Sequence, residues 1–189
     1  MKEHFKIFTD FFGEVPDEDL ALLASMFRPV AVSKMNHLYS EGDNVTKLYF
    51  VNKGTLRGYY CKDGEEHTCN FFFGPCMITD LFSVRQDITT QMNVQALKES
   101  DCYEADFLAV EQLSYTRPDL LRVFYKMYEF MFTNSIARQI SFIYDTPKER
   151  YLNIFKERPN IIADIPQHYI ASYLGIKPET LSRIRKKIF

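Results

Sequence analysis

The stretch Ile165-Pro166-Gln167-His168-Tyr169-Ile170-Ala171-Ser172-Tyr173-Leu174-Gly175-Ile176-Lys177-Pro178-Glu179-Thr180-Leu181-Ser182-Arg183-Ile184-Arg185-Lys186-Lys187 decides how this chain is read. It spells two short helices, about 166–174 and 178–188, joined at a glycine. Ala171 is small where two helices must cross closely, and Gly175 can take the left-handed conformation that a tight helix–helix turn requires. Pro178 suits the first turn of the second helix. Leu181, Ile184 and Ile188 recur at i, i+3 and i+7 and form an inward stripe. The opposite face carries Glu179, Thr180, Arg183, Lys186 and Lys187. Arginine can fork onto guanine, glutamate can accept from cytosine N4 and lysine can neutralise phosphate, so this face suits the major groove of double-stranded DNA. The residues expected to touch DNA are Gln167, His168, Lys177, Glu179, Thr180, Ser182, Arg183, Lys186 and Lys187. Two blander explanations stand beside this one. Glu179 and Arg183 are spaced as an ordinary i,i+4 ion pair, and a basic last turn complements the helix dipole. For His168, a solvated surface position competes with a phosphate contact.

The charge distribution favours the nucleic-acid reading. The whole chain carries a net charge of −2, yet residues 177–189 hold five cations against one glutamate, so this tip is +4 on a body of −6. Such asymmetry points the positive end at a polyanion.

Outward from the tail, the chain changes texture twice. Pro16-Asp17-Glu18-Asp19 makes an acidic helix start, with Leu20, Leu23, Ala24 and Phe27 at helical spacing and Pro29 as the expected stop. From about Val30 to Ala105, short apolar runs alternate with turn signals: Leu48–Val51, Leu56–Cys61, Thr68–Phe73, Met92–Leu97 and Cys102–Ala105. Breaks at Asn52-Lys53-Gly54, Asp63-Gly64 and Gly74-Pro75 predict an antiparallel barrel or jelly roll. From Pro118 to about Tyr144 no helix breaker occurs, and Leu120, Leu121, Phe124, Met127, Met131, Ile136, Ile140 and Ile143 lie along it. So much apolar surface predicts one side packed on the barrel and the other forming a homodimer seam; a long core helix in a monomer is the alternative. After Asp145-Thr146-Pro147 a further amphipathic helix, Lys148–Glu157, is expected to stop at Pro159-Asn160.

These features together resemble the Crp/Fnr family, the cyclic-AMP receptor protein and its relatives. The tail from Gly175 to Lys187 resembles that family's recognition helix, particularly Glu179-Thr180 followed by Arg183. Glu41-Gly42-Asp43, then Leu48-Tyr49-Phe50-Val51 and Gly54, are similar to its cyclic-nucleotide-binding barrel, and Pro118-Asp119 opens a helix like its dimerisation helix. The resemblance implies an α+β chain with three parts. Residues 1–117 would be a jelly-roll sensor barrel with N-terminal helices, 118–145 a dimerisation helix and 146–189 an all-α helix-turn-helix DNA-binding domain. It further implies a cytoplasmic bacterial transcription regulator that meets RNA polymerase.

Two departures qualify what is implied. Nucleotide binders of the family carry Gly-Glu-Leu, then a loop, then Arg-Ser or Arg-Thr. Here Gly74 is followed by Pro75, and the arginine position falls on or near Thr89 or Thr90, with Arg85 the nearby substitute. A phosphate without that arginine loses a charge-assisted contact, so cyclic AMP is not the expected ligand. A small-molecule effector of other identity stays open, with Phe73, Gly74, Thr79, Thr89, Thr90, Gln91 and Ser135 as the residues to surround it. The sequence also stops at Phe189, so the β-hairpin wing usual in the family is expected to be missing.

Other chemistry finds little support. Cys61, Cys69, Cys76 and Cys102 form no C-x-x-C pair and read as free, buried or half-buried thiols. His4, His37, His67 and His168 are scattered, so no metal site is expected. No apolar run is long enough for a membrane span, and the opening Met1–Lys6 lacks a secretory core. With no nucleophile elbow around Ser172 or Ser182 and no glycine-rich phosphate loop, an enzyme is not expected. The rival to a DNA-binding regulator is a ligand-sensing or protein-interaction module with a vestigial tail.

Overall fold

The computed structural model describes Met1–Ile188. Two helices open the chain, α1 (Lys2–Thr9) and α2 (Asp17–Ser25), the second with Asp17, Glu18 and Asp19 in its first turn. Six strands follow: β1 (Arg28–Val32), β2 (His37–Tyr39), β3 (Lys47–Lys53), β4 (Thr55–Lys62), β5 (Glu65–Phe73) and β6 (Cys76–Ile78). A short helix α3 (Leu81–Gln86) leads into β7 (Met92–Ala96) and β8 (Ser100–Asp106). Six helices complete the chain: α4 (Phe107–Thr116), α5 (Pro118–Tyr144), α6 (Pro147–Glu157), α7 (Pro159–Asp164), α8 (Gln167–Leu174) and α9 (Pro178–Lys186).

The strands form two antiparallel four-stranded sheets, ordered β1-β8-β3-β6 and β2-β7-β4-β5. This is a jelly-roll order, in which each sheet interleaves early and late strands. Val32, Val51, Ile78 and Cys102 from the first sheet meet Tyr39, Leu56, Val94 and Ala96 from the second in one core. No ladder joins the two sheets among the described residues, so the barrel expected from the sequence is realised as two facing sheets.

Two further cores lie outside the sandwich. In one, Leu48, Phe50, Met77 and Ala105 of the first sheet pack against Phe5 and Phe8 of α1, Leu20 of α2 and Leu120, Val123, Phe124 and Met127 of α5. Phe5 stacks on Phe50 with ring centroids 4.2 Å apart. In the other, Phe71 of β5 and Leu97 join Tyr151, Ile154, Ile161, Ile170, Leu174 and Leu181 from the C-terminal helices. These last helices therefore share a core with the second sheet.

Several expectations are corrected. The first apolar helix ends at Ser25, and Pro29 sits in β1, an edge strand where a missing N–H is tolerated. The helix before Pro159 does stop, at Glu157, but Pro159 then opens an unforeseen helix, α7, where its fixed φ fits the first turn. The three-residue strands β2 and β6 are too short to alternate visibly. Helices α3 and α4 were hidden in strand-like texture. Asp80 and Asp106 start them by accepting from the backbone N–H of Ser83 and Ala109. All four thiols are free, but Cys61 is exposed rather than buried. Burial pushes the Cys76 thiol up to about 12 and that of Cys102 to about 11.

Candidate nucleic-acid interface

Helices α8 and α9 are joined through Gly175 at φ 68°. Its N–H donates to the carbonyl of Ser172, and Ile176 N–H to that of Ala171, each at 3.0 Å. The left-handed glycine thus closes α8 and redirects the chain. Lys177 carries no side-chain cap, and Pro178 opens α9. Leu181 is fully buried, with Ile184 and Ile188 packed beside it. That leaves Glu179, Ser182, Arg183, Lys186 and Lys187 exposed, with Thr180 half-buried.

Among the described residues, Lys177, Arg183, Arg185, Lys186 and Lys187 make no ion pair. The Glu179–Arg183 pair that the spacing allowed is not formed. Gln167, at the first turn of α8, lines an open cleft of about 310 Å³ with Ser182, Arg185 and Lys186 of α9. His168 is exposed, its ring 4.0 Å from that of Tyr169. Arg185 was left out of the residues expected at this face. It lies between the inward stripe and the open face, and periodicity alone assigns such flank positions to neither.

The two helices are seated on the second sheet by polar contacts the sequence did not announce. β5 is an edge strand. The Ser172 hydroxyl accepts from Thr68 N–H at 2.9 Å and donates to the Glu66 carbonyl at 2.8 Å, covering that edge. Arg57 of β4 is 1% exposed. Its guanidinium lies between the rings of Tyr59 and Tyr169, 4.3 and 4.0 Å from their centroids, and donates to Thr68 Oγ1 and Glu66 Oε2. A buried charge is tolerable only when paired and hydrogen-bonded in this way. From α5, Arg138 donates to the Tyr173 carbonyl at 2.8 Å and stacks between Tyr173 and Phe142. Burial pulls the Arg138 guanidinium below its ordinary value. From α6, Arg150 donates to the Leu174 carbonyl at 3.1 Å, its guanidinium 4.7 Å from the Phe142 ring centroid. Arg158 donates to the Phe71 carbonyl at 2.8 Å.

The residues expected around a barrel ligand fall in separate surroundings. Phe73 packs against the core shared with the C-terminal helices. Gly74 lies against the Asn52 carbonyl, where a Cβ would come within 2.7 Å. Thr79 Oγ1 donates to the Lys47 carbonyl, while Thr89, Gln91 and Ser135 are exposed. Thr90 is buried and donates to Asp80 Oδ2 at 2.6 Å. The same carboxylate accepts from Ser83 N–H and Ser83 Oγ. The donors at the start of α3 are thus taken by the chain's own anion. Burial, reinforced by Asp80, pushes the neighbouring Tyr39 phenol well above its ordinary value. Arg85 does not stand in for the missing arginine: its guanidinium forms a two-pronged ion pair with Glu111 of α4.

The fold is that of regulators of the Crp/Fnr family. It matches the c-di-GMP-responsive global regulator CLP of Xanthomonas campestris with a TM-score of 0.71 at 16% identity, over 92% of this chain and 91% of that one. FixK2 of Bradyrhizobium japonicum gives 0.71 at 16% identity, over 86% and 84% of the two chains. A Crp/Fnr-family transcriptional regulator from Eubacterium rectale gives 0.71 at 16% identity, over 98% and 87%. No protein-family model and no curated protein matches the sequence.

Proposed function

We propose that this chain is a homodimeric transcription regulator that binds double-stranded DNA, with α9 as the recognition helix in the major groove. The observation that carries this reading is the set of five cations, on and flanking α9, that make no ion pair among the described residues while Leu181 anchors the helix's apolar face. In this reading Arg183 reads guanine, and Lys186 and Lys187 meet phosphates. Gln167 and Arg185 flank a cleft able to take a backbone phosphate. Residues 1–117 act as sensor, 118–145 as dimer helix and 146–189 as DNA-binding domain. The work is regulatory rather than enzymatic, in the cytoplasm, with RNA polymerase as the downstream partner.

The second copy is argued from α5. Its barrel-facing residues Leu120, Val123, Phe124 and Met127 are buried, while Leu121, Tyr125, Phe132, Ile136 and Ile143 form an exposed stripe on another face. That stripe spans 23 residues, about 33 Å from end to end at the helical rise. A second α5 related by a two-fold axis would cover it and fix the spacing of two recognition helices. Cyclic AMP is not the effector in this reading, because Asp80 already fills the donors that a phosphate would need.

Selection from random duplex DNA tests the proposal. The expected product is a two-fold symmetric site with half-sites about 34 Å apart. Arg183→Ala costs about 1–3 kcal/mol on that site and flattens discrimination at one base pair per half-site. Lys187→Ala weakens all sequences alike and makes the salt slope shallower by about one unit per lost phosphate contact. Failure to enrich any sequence, with weak salt-insensitive binding, would refute the proposal in favour of a protein-interaction module.

A further inference from the structure

A cleft of about 340 Å³ opens on the outer side of the first sheet, between α3, α4 and α5. It lies apart from the sandwich interior, where Tyr39 sits. Its walls are apolar and aromatic, with Leu81, Phe107, Val110, Phe124 and Tyr125 among them. At its polar end Arg85 grips Glu111, and the Arg85 guanidinium lies 5.1 Å from the Phe107 ring centroid. The size falls at the lower end of small-molecule sites, and the mix of apolar walls with a few convergent polar groups is what such sites show.

The polar end dictates what fits. Both Glu111 oxygens accept from Arg85. The Arg85 hydrogen bond holds the Glu111 carboxyl below the usual range, so it stays an anion. Each of its oxygens already holds one arginine N–H. Burial pushes the Tyr128 phenol up, which keeps its hydroxyl a donor. The guanidinium keeps unused N–H groups, because an arginine has five. The cleft therefore offers spare guanidinium N–H donors, which suit a ligand that brings an acceptor oxygen. The Arg85–Glu111 pair is neutral overall, so a carboxylate would meet the Glu111 charge with no uncompensated cation to offset it. A neutral carbonyl meets no such repulsion. The rings of Phe107, Phe124 and Tyr125 supply faces and edges for a flat partner.

We propose that this cleft is a binding site for a compact, neutral ring compound carrying a carbonyl oxygen, such as an aromatic ketone or lactone. The site stands whether or not the chain binds DNA. Its walls join α3 to α5, so occupancy would bear directly on the helix that carries the C-terminal module. Leu121 and Tyr125 belong both to the cleft's outer wall and to the exposed α5 stripe, so the test uses the full chain in its native oligomeric state.

Coumarin is the lactone probe and benzoate the charged control, read by calorimetry and by methyl and aromatic NMR shifts. Coumarin should bind and move the resonances of Leu81, Val110 and Phe124, with benzoate at least about tenfold weaker, given the repulsion at Glu111. Leu81→Trp, which fills the cleft, should abolish binding. Tyr128→Phe, which removes one hydroxyl and little else, should weaken coumarin severalfold. Glu111→Gln should reverse the charge preference by freeing Arg85 for benzoate. The proposal is overturned if coumarin fails to bind at millimolar concentration, as it would if a second copy covers the cleft. It is equally overturned if the shifts map to Tyr39 and Thr90 in the sandwich, or if Glu111→Gln leaves the preference for coumarin unchanged.

Discussion

Replacing Gly175 by alanine should cost far more than a glycine-to-alanine change usually does. The residue sits at φ 68°, a region costing an L-residue about 1–2 kcal/mol. A Cβ built there would lie 2.9 Å from Phe142 Cε1. Phe142 cannot simply swing away, because Arg138 and Arg150 flank its ring at 4.8 and 4.7 Å. Overpacking of this kind adds about 1–3 kcal/mol. A loss of about 3 kcal/mol corresponds to a fall in Tm of roughly 6–12 °C for a chain of this size. Thermal unfolding of four variants checks the arithmetic. Gly64→Ala also has a positive φ, 81°, but nothing within 4 Å, and so should show the backbone cost alone. In a Phe142→Ala background the steric part should vanish, leaving Gly175→Ala at about 1–2 kcal/mol, the backbone cost alone. If Gly175→Ala costs the same with and without Phe142, the turn does not bear on α5 as described.

Three further outcomes follow from the same geometry. Phe132→Glu, in the middle of the exposed α5 stripe, should turn a dimer into a folded monomer of 22.3 kDa in sedimentation; a wild-type chain that already sediments as a monomer would dispose of the seam. Ser172→Ala should weaken the seating of α8 on β5 by about 1–3 kcal/mol, since two backbone groups lose their partner. Hydrogen exchange at the Thr68 amide should accelerate accordingly, and unchanged protection there would contradict the contact. Cyclic AMP titrated into the wild-type protein should give no binding heat, and sub-micromolar affinity would mean that Asp80 yields its donors to a phosphate.

What was legible in the sequence is what local geometry controls. The turn at Gly175, the stripe through Leu181 and the unbroken run into α5 each follow from a few neighbouring residues, and each stands where it was read. Helices α3 and α4 were not legible. Both are short, and Asp80 and Asp106 could equally have been turn residues in a strand-rich region. The seating of the C-terminal helices was hidden for a different reason. Ser172, within an amphipathic helix, reads as an indifferent polar residue, and its meaning depends on an edge strand 104 residues away. Arg57 did leave a trace, as a charged residue inside the strand Thr55–Lys62. Alternation would send it to solvent, whereas Tyr169 closes over it. The same logic separates the two candidate ligand regions. The residues expected around a barrel ligand follow from loop position alone, and Asp80, ten residues from Thr90 and hydrogen-bonded to it, changes what that loop can hold. Arg85 is a cation in the right loop, but its direction is set by Glu111, which no pattern in the loop reveals. Whether a charged side chain serves a ligand therefore turns on which opposite charge the fold brings to it, and Glu111→Gln is the change that isolates this one.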